Sequence, residues 1–261
     1  MARTDRSREE ISIVTNSAAA APVALVTGGG RRIGAAIVRH LHARGYRVAI
    51  HHARSVAPAA ALAEALEAER GDSTLRVQAD LREPAELARL CRAVGEHWGR
   101  IDALVNNAST FFPTPLDTAC PADWEALFDV NAKAPFFLAQ AAAPWLRRQG
   151  GSIVNITDVH GQRPMKGYPI YSAAKAALTL LTAALARELA PEIRVNAVAP
   201  GSILWSEPPP PAGAQAQILQ RIALRRQGEP QDIAEAVAYL LAAPYVTGQV
   251  LAVDGGRTTQ Q

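Results

Sequence analysis

Tyr171 and Lys175 stand at i and i+4 in the run Tyr171-Ser-Ala-Ala-Lys175. On a helix that spacing puts both heads on one face, a phenol beside an ammonium. A free tyrosine titrates at about 10, too high to trade protons readily near neutrality. A neighbouring ammonium favours the phenolate, so the spacing predicts a Tyr171 whose pKa is lowered toward the working range and which can give a proton to a substrate. The same spacing also suits a surface tyrosine lying on a lysine stem, and the pair alone does not choose between the two.

A second run, Thr27-Gly-Gly-Gly-Arg-Arg-Ile-Gly34, follows a short apolar stretch and opens an amphipathic one. Glycines there let the backbone approach a pyrophosphate, and a helix N-terminus behind them offers free N–H groups and a positive dipole end. Thr27, Gly28, Arg31, Arg32, Ile33 and Gly34 are therefore candidate cofactor contacts. In such a site an acid about 20 residues on binds the ribose of NAD. Here that count lands on Arg54, and the stretch His51-His-Ala-Arg-Ser55 has no carboxylate. Arg54 and Ser55 are suited to a 2′-phosphate, with His51 beside them, so the expected cofactor is NADPH. An ordinary tight turn and a solvated Arg54 are the plainer alternatives.

These residues need elements to hold them. Short β-branched runs at Val23–Thr27, Arg47–His51, Thr74–Ala79, Ile101–Val105, Ser152–Ile156, Arg194–Val198 and Gln249–Val253 read as strands. Arg31–Arg44, Ala57–Arg70 and Pro84–Trp98 between them read as helices. Strands alternating with helices predict an α/β, Rossmann-type, doubly wound parallel sheet with helices on both faces. We expect one catalytic domain over residues 23–261, with a substrate loop at about 202–214 that contains the stiff run Pro208–Pro211. Residues 1–22 read as a disordered leader without the apolar core of a signal peptide.

Composition narrows the class. The 261 residues are 49% hydrophobic and 20% charged, with a net charge of +3. The arginines are dispersed and lack aromatic interleaving, which argues against a nucleic-acid partner. No apolar run approaches the roughly 18 to 20 residues that span a membrane, so a cytoplasmic location is expected. Two cysteines do not make a disulfide framework, and no metal is called for.

The glycine loop, Asn106-Asn-Ala-Ser109, Asn131, Tyr171-x-x-x-Lys175 and Pro200-Gly201, in that order over about Val23 to Gly256, resemble the short-chain dehydrogenase/reductase family. The resemblance implies that Tyr171 is the proton donor and that Lys175 binds the nicotinamide ribose. It implies that Asn131 sustains a water link to Lys175, that Asp80 and Leu81 flank the adenine, and that Asn107, Ala108 and Pro200 to Ser202 line the nucleotide. It also implies a homotetramer, to which Ala-rich faces over Ala173–Ala190 would contribute.

Two positions depart from the family pattern. Arg32 stands where a third glycine is usual, and the strand before Tyr171 ends Asn155-Ile-Thr-Asp158 where a serine is usual. Both departures resemble the pteridine reductase branch, as do His51-x-x-Arg-Ser55 and Asn106-Asn-Ala-Ser-x-Phe111 followed by Pro113-Thr-Pro115. That likeness implies an Asp158–Tyr171–Lys175 set that reduces the C=N bond of a pterin or folate, with Phe111 stacked on the ring and Ser109 and Arg32 touching the substrate. A 3-oxoacyl-type carbonyl reductase and a non-catalytic nucleotide-sensing module are the competing expectations.

Overall fold

The structure is a computed structural model that describes residues 21–205 and 208–259, so all but two residues of the expected leader lie outside it. Seven runs pair as strands: β1 Val23–Val26, β2 Arg47–His52, β3 Thr74–Gln78, β4 Ala103–Asn106, β5 Ser152–Ile156, β6 Arg194–Pro200 and β7 Val250–Val253. All pair in parallel, in the order β3-β2-β1-β4-β5-β6-β7. Parallel strands need crossovers, which here are mostly helices: α1 Arg32–Ala43, α2 Val56–Glu69, α3 Pro84–Trp98, α4 Pro121–Phe128, α5 Ala134–Arg147, α6 Pro169–Leu189, α7 Ala212–Gln220 and α8 Pro230–Ala242.

Successive residues of a strand face opposite sides. Val23 and Leu25 therefore join the core under α3, α5 and α6, while Ala24 and Val26 join the core under α1, α2 and α8. Covering both faces explains why β1, β4 and β5 are buried throughout, with only Asn106, Ser152 and Asn155 polar among them. The expected fold class is the observed one.

Several expected boundaries move. The first strand ends at Val26, because Thr27 turns out of the sheet to organise the loop. The fourth begins at Ala103 rather than Ile101, although Ile101 is buried, and the sixth runs on to Pro200. One expectation about hydropathy is corrected. α6 is 21 residues long with a mean hydropathy of 1.3 in its most apolar stretch, long and apolar enough to cross a membrane by length and composition. Half of that stretch is buried within the protein, where the helix lies against the sheet and carries Tyr171 and Lys175.

Candidate active site

Most candidate residues lie at or just beyond the C-terminal end of a strand, while Tyr171 and Lys175 come from α6 and Asn131 from the turn between α4 and α5. The strand order reverses between β1 and β4, and in open α/β sheets that switch point opens a crevice for a ligand. Thr27 and Gly28 follow β1, while Asn107 to Ser109 follow β4, so the glycine loop and the Asn-Asn-Ala-Ser run form its two walls.

The loop is braced from beneath. Thr27 Oγ1 donates to Val105 O at 3.3 Å and accepts the N–H groups of Asn107 and Ala108 at 2.9 and 3.0 Å. Asn107 Nδ2 donates to Thr27 O and Gly28 O at 2.8 and 3.1 Å. A Cβ on Gly34 would sit 2.2 Å from Gly28 O, so only glycine lets α1 start this close to the loop. No side chain caps the first turn of α1 and no acid lies in it, which leaves its N–H groups and dipole end free to meet an anion. Arg31 and Arg32 are exposed at the mouth, and Ile33 is half-buried behind them. Arg32 has φ 53, the left-handed region, at the position where the family pattern has glycine. Its guanidinium donates to Trp205 O at 2.9 Å, joining the loop to the start of the substrate loop.

His51 corrects one expectation. Gly28 N–H donates to its Nδ1 at 3.1 Å, so the ring hydrogen is on Nε2 and is given to Ala79 O at 3.1 Å. Burial lowers its pKa to about 4 and keeps the ring neutral. Both ring nitrogens are thus committed inside the protein, and His51 fixes the loop rather than facing a cofactor.

At the far end, exposed Arg54 and the half-buried Ser55 lie beside a cleft lined by Ala53, Gln78, Ala79, Asp80 and Arg89. The Asp80 carboxylate is gripped by Arg82, which holds its pKa down to about 2 against the opposing effect of burial. Arg54 therefore faces the cleft without a carboxylate bonded to it. Leu81 next to it is buried in the core.

Asp158, Tyr171 and Lys175 meet where the segment after β5 packs on α6. Tyr171 donates its hydroxyl to Asp158 Oδ2 at 2.7 Å, and Asp158 Oδ1 accepts His160 N–H at 2.8 Å. Lys175 is fully buried, donates to Ile156 O at 2.9 Å, and holds Nζ 5.8 Å from the Tyr171 ring centre. Burial lowers the Lys175 pKa to about 8, with Asp158 opposing. The expectation for Tyr171 is reversed: burial first, then the Asp158 charge and hydrogen bond, push its pKa well above the usual value, with Ser109 acting the other way. The ammonium does not win because it is bonded to a backbone carbonyl, whereas the carboxylate is in direct contact with the phenol. Tyr171 accordingly keeps its proton and donates it in the hydrogen bond to Asp158.

Asn131 sits on a π-helical turn, Asp129–Lys133, between α4 and α5. Its Oδ1 accepts Ser109 Oγ at 2.7 Å and its Nδ2 donates to Thr110 O at 2.8 Å, so it has no direct bond to Lys175. Phe111 is half exposed; it stacks on Tyr168 with ring centres 4.7 Å apart and meets Tyr171 edge-on at 4.8 Å. Tyr168 was not anticipated. Its signal was its place three residues before Tyr171, just before the first turn of α6. Gly201 N–H donates to Val253 O at 2.9 Å beyond Pro200, and Ser202 Oγ accepts Gln227 Nε2 at 3.1 Å, which ties the end of β6 to the C-terminal strand and the turn before α8.

Residues 28–258 match the family model described as enoyl-(acyl carrier protein) reductase. The chain is 39% identical over 279 residues to pteridine reductase 1 of Leishmania tarentolae, covering 90% of this chain and 96% of that protein. It is 41% identical over 243 residues to granaticin polyketide synthase putative ketoacyl reductase 2 of Streptomyces violaceoruber, again covering 90% of this chain and 96% of the other. It superposes with a TM-score of 0.85 and 38% identity on the crystal structure of a blue fluorescent protein from a metagenomic library in complex with NADPH, covering 90% of this chain and 97% of that one. These matches put the chain among the oxidoreductases built on a dinucleotide-binding sheet. It belongs to the short-chain dehydrogenase/reductase family.

Proposed function

We propose that this chain reduces pterins, dihydropterin or dihydrofolate to the tetrahydro form or biopterin likewise, with NADPH as hydride donor. The carrying observation is the 2.7 Å contact between Tyr171 and a carboxylate, Asp158, where a carbonyl reductase of this family has a hydroxyl. Identity to a pteridine reductase and to a ketoacyl reductase is nearly equal, so the substrate class rests on that contact and not on the overall likeness.

The residues present fit the cofactor. The uncapped first turn of α1 and the bare glycine loop suit the pyrophosphate, and Arg54 with Ser55 suits the 2′-phosphate. The backbone at Asp80 and Leu81 would meet the adenine, Asn107 and Ala108 with Pro200 to Ser202 would line the nucleotide, and Lys175 would bind the nicotinamide ribose. When bound, NADPH supplies the hydride that a ring carbon of the pterin accepts. Tyr171 gives its proton to the adjacent ring nitrogen and takes another from solvent, while the Asp158 carboxylate accepts a ring N–H. Phe111 offers its exposed face to the flat ring, where stacking contributes about 0.5–1.5 kcal/mol beyond burial. Arg32, exposed at the glycine loop with its guanidinium on Trp205 O, would bridge a cofactor phosphate and the ring.

The test is NADPH oxidation with dihydropterin, dihydrofolate and biopterin set against a panel of ketones and 3-oxoacyl thioesters. Turnover of the pterins above the ketones is expected. A preference for 3-oxoacyl thioesters would replace this reading with the carbonyl reductase one, and no oxidation with any of them would leave a nucleotide-sensing module. We further propose a cytoplasmic homotetramer: Leu180 on α6, Trp124 on α4 and Phe137 on α5 are exposed at 72%, 50% and 38%, an apolar surface a second copy would cover. A monomeric mass in solution would overturn that assembly.

A further inference from the structure

The hydrogens of the crevice are assigned by a chain of bonds that starts at a backbone carbonyl. Asn131 lies on the π-helical turn Asp129–Lys133, where Ala134 N–H reaches back to Asp129 O, and is 1% exposed. Its Nδ2 donates to Thr110 O at 2.8 Å. A backbone carbonyl only accepts, so the amide nitrogen must face Thr110 and Oδ1 must face Ser109. An amide oxygen also only accepts, so the Ser109 hydroxyl gives Oδ1 its single hydrogen, at 2.7 Å. Turning that hydrogen elsewhere would strip the buried Oδ1 of this partner, which disfavours the turned hydroxyl about ten-fold or more. Ser109 itself is exposed. Two residues on, Phe111 meets the Tyr171 ring edge-on at 4.8 Å, so the Ser109 oxygen opens on the crevice where the phenol stands. What it presents there is lone pairs. Tyr171 likewise gives its hydrogen away, to Asp158 Oδ2 at 2.7 Å.

We propose that Asn131 is a positioning residue for substrate choice: by taking the Ser109 hydrogen it makes Ser109 Oγ a fixed acceptor, which pairs with an N–H or amino group on the substrate ring and refuses a carbonyl oxygen. The inference rests on the reading that the substrate is a pterin bound beside Tyr171. A pterin carries ring N–H and amino donors along its edge, and such an oxygen can pair with them. A carbonyl oxygen in the same place would set lone pair against lone pair and leave two acceptors unpaired. A site built on a hydrogen bond discriminates more sharply than an apolar pocket, because the wrong ligand strands a polar group. Asn131 does this through Ser109 and touches no reacting atom.

The test compares two flat ligands that differ at one ring carbon, pterin with an amino group there and lumazine with a carbonyl. Their binding to the full chain saturated with NADP+, which has no hydride to give, is read by calorimetry. The wild type should favour pterin about ten-fold or more. Ser109→Ala should bring the ratio of the two affinities close to unity, and Ser109→Thr should keep it. Asn131→Leu, similar in shape but without an acceptor, frees the Ser109 hydrogen, so the ratio should fall in the same way. Asn131→Asp keeps an acceptor and should hold the preference, a contrast that loss of packing would not produce. In the Ser109→Ala background, Asn131→Leu should change the ratio no further. Should the Asn131 variants fold poorly, the two Ser109 variants decide. A wild type without the preference overturns the proposal. So does a ratio unmoved in folded Ser109→Ala or Asn131→Leu, or one lost equally in Asn131→Asp, even if pterins are reduced. A preference lost as expected, with no pterin turnover in the wild type, leaves this proposal standing and removes the substrate reading instead.

Discussion

Tyr171 donates its hydroxyl to Asp158 at 2.7 Å, joining the phenol of α6 to the carboxylate of the segment after β5. A carboxylate against a buried phenol raises the energy of the phenolate, so the phenol keeps its proton. Asp158→Asn and Asp158→Ser should lower kcat for pterin reduction about 100-fold or more, the scale of a lost acid–base partner. Fluorescence titration should show NADPH binding as in the wild type, because Asp158 touches neither the glycine loop nor Arg54. Turnover within a few-fold of normal would remove Asp158 from the chemistry.

Lys175 is held at a cost. Its folded pKa of about 8 lies below the ordinary lysine value of 10.5 because the ammonium is fully buried. Between those values the unfolded chain binds a proton that the folded one does not, so stability should rise with pH through that window. Below it the penalty is constant, up to about 3 kcal/mol. Lys175→Met should therefore raise the Tm of the protein without ligand while abolishing turnover. A lower Tm would mean that the bond to Ile156 O outweighs the buried charge.

The parts of the fold that were legible are those with a local cause. Pro84 at the start of α3 and the apolar runs of β1 and β5 announced themselves, because Pro at a first turn and burial on both faces leave marks in sequence. Tyr171, Lys175 and the glycine loop were legible as spacing. What spacing does not carry is which partner a side chain chooses. His51 turns inward to Gly28, Asn131 bonds to Ser109, and Lys175 bonds to Ile156 O instead of the phenol, all decisions of tertiary packing.

Arg54 should decide the choice of nucleotide. It lies exposed at the cleft while Asp80 is bonded to Arg82, so its guanidinium is available to a 2′-phosphate. A charge-assisted hydrogen bond contributes about 1.5–3 kcal/mol, so Arg54→Ala should weaken NADPH about 10- to 100-fold and leave NADH almost unchanged. The ratio of the two dissociation constants reads this directly. Equal losses for both nucleotides would show that Arg54 supports the cleft rather than reading the phosphate.

His51 makes the glycine loop sensitive to acid. The neutral ring accepts Gly28 N–H and donates to Ala79 O, and a second ring proton would break the first of those bonds. Its folded pKa of about 4 lies below the ordinary 6.5. The unfolded histidine takes up a proton below 6.5 and the folded one does not until about 4, so the stability it contributes is complete above 6.5 and is lost as pH falls across that window. Between pH 7.5 and 5 the loss is about 2 kcal/mol from this residue alone. Urea unfolding at the two pH values, for wild type and His51→Asn, isolates it, since every other titrating group is common to both chains. The wild type should lose about 2 kcal/mol more than the variant over that range. Parallel losses would mean that the ring is already protonated in the folded protein, and that Gly28 is held by some other contact.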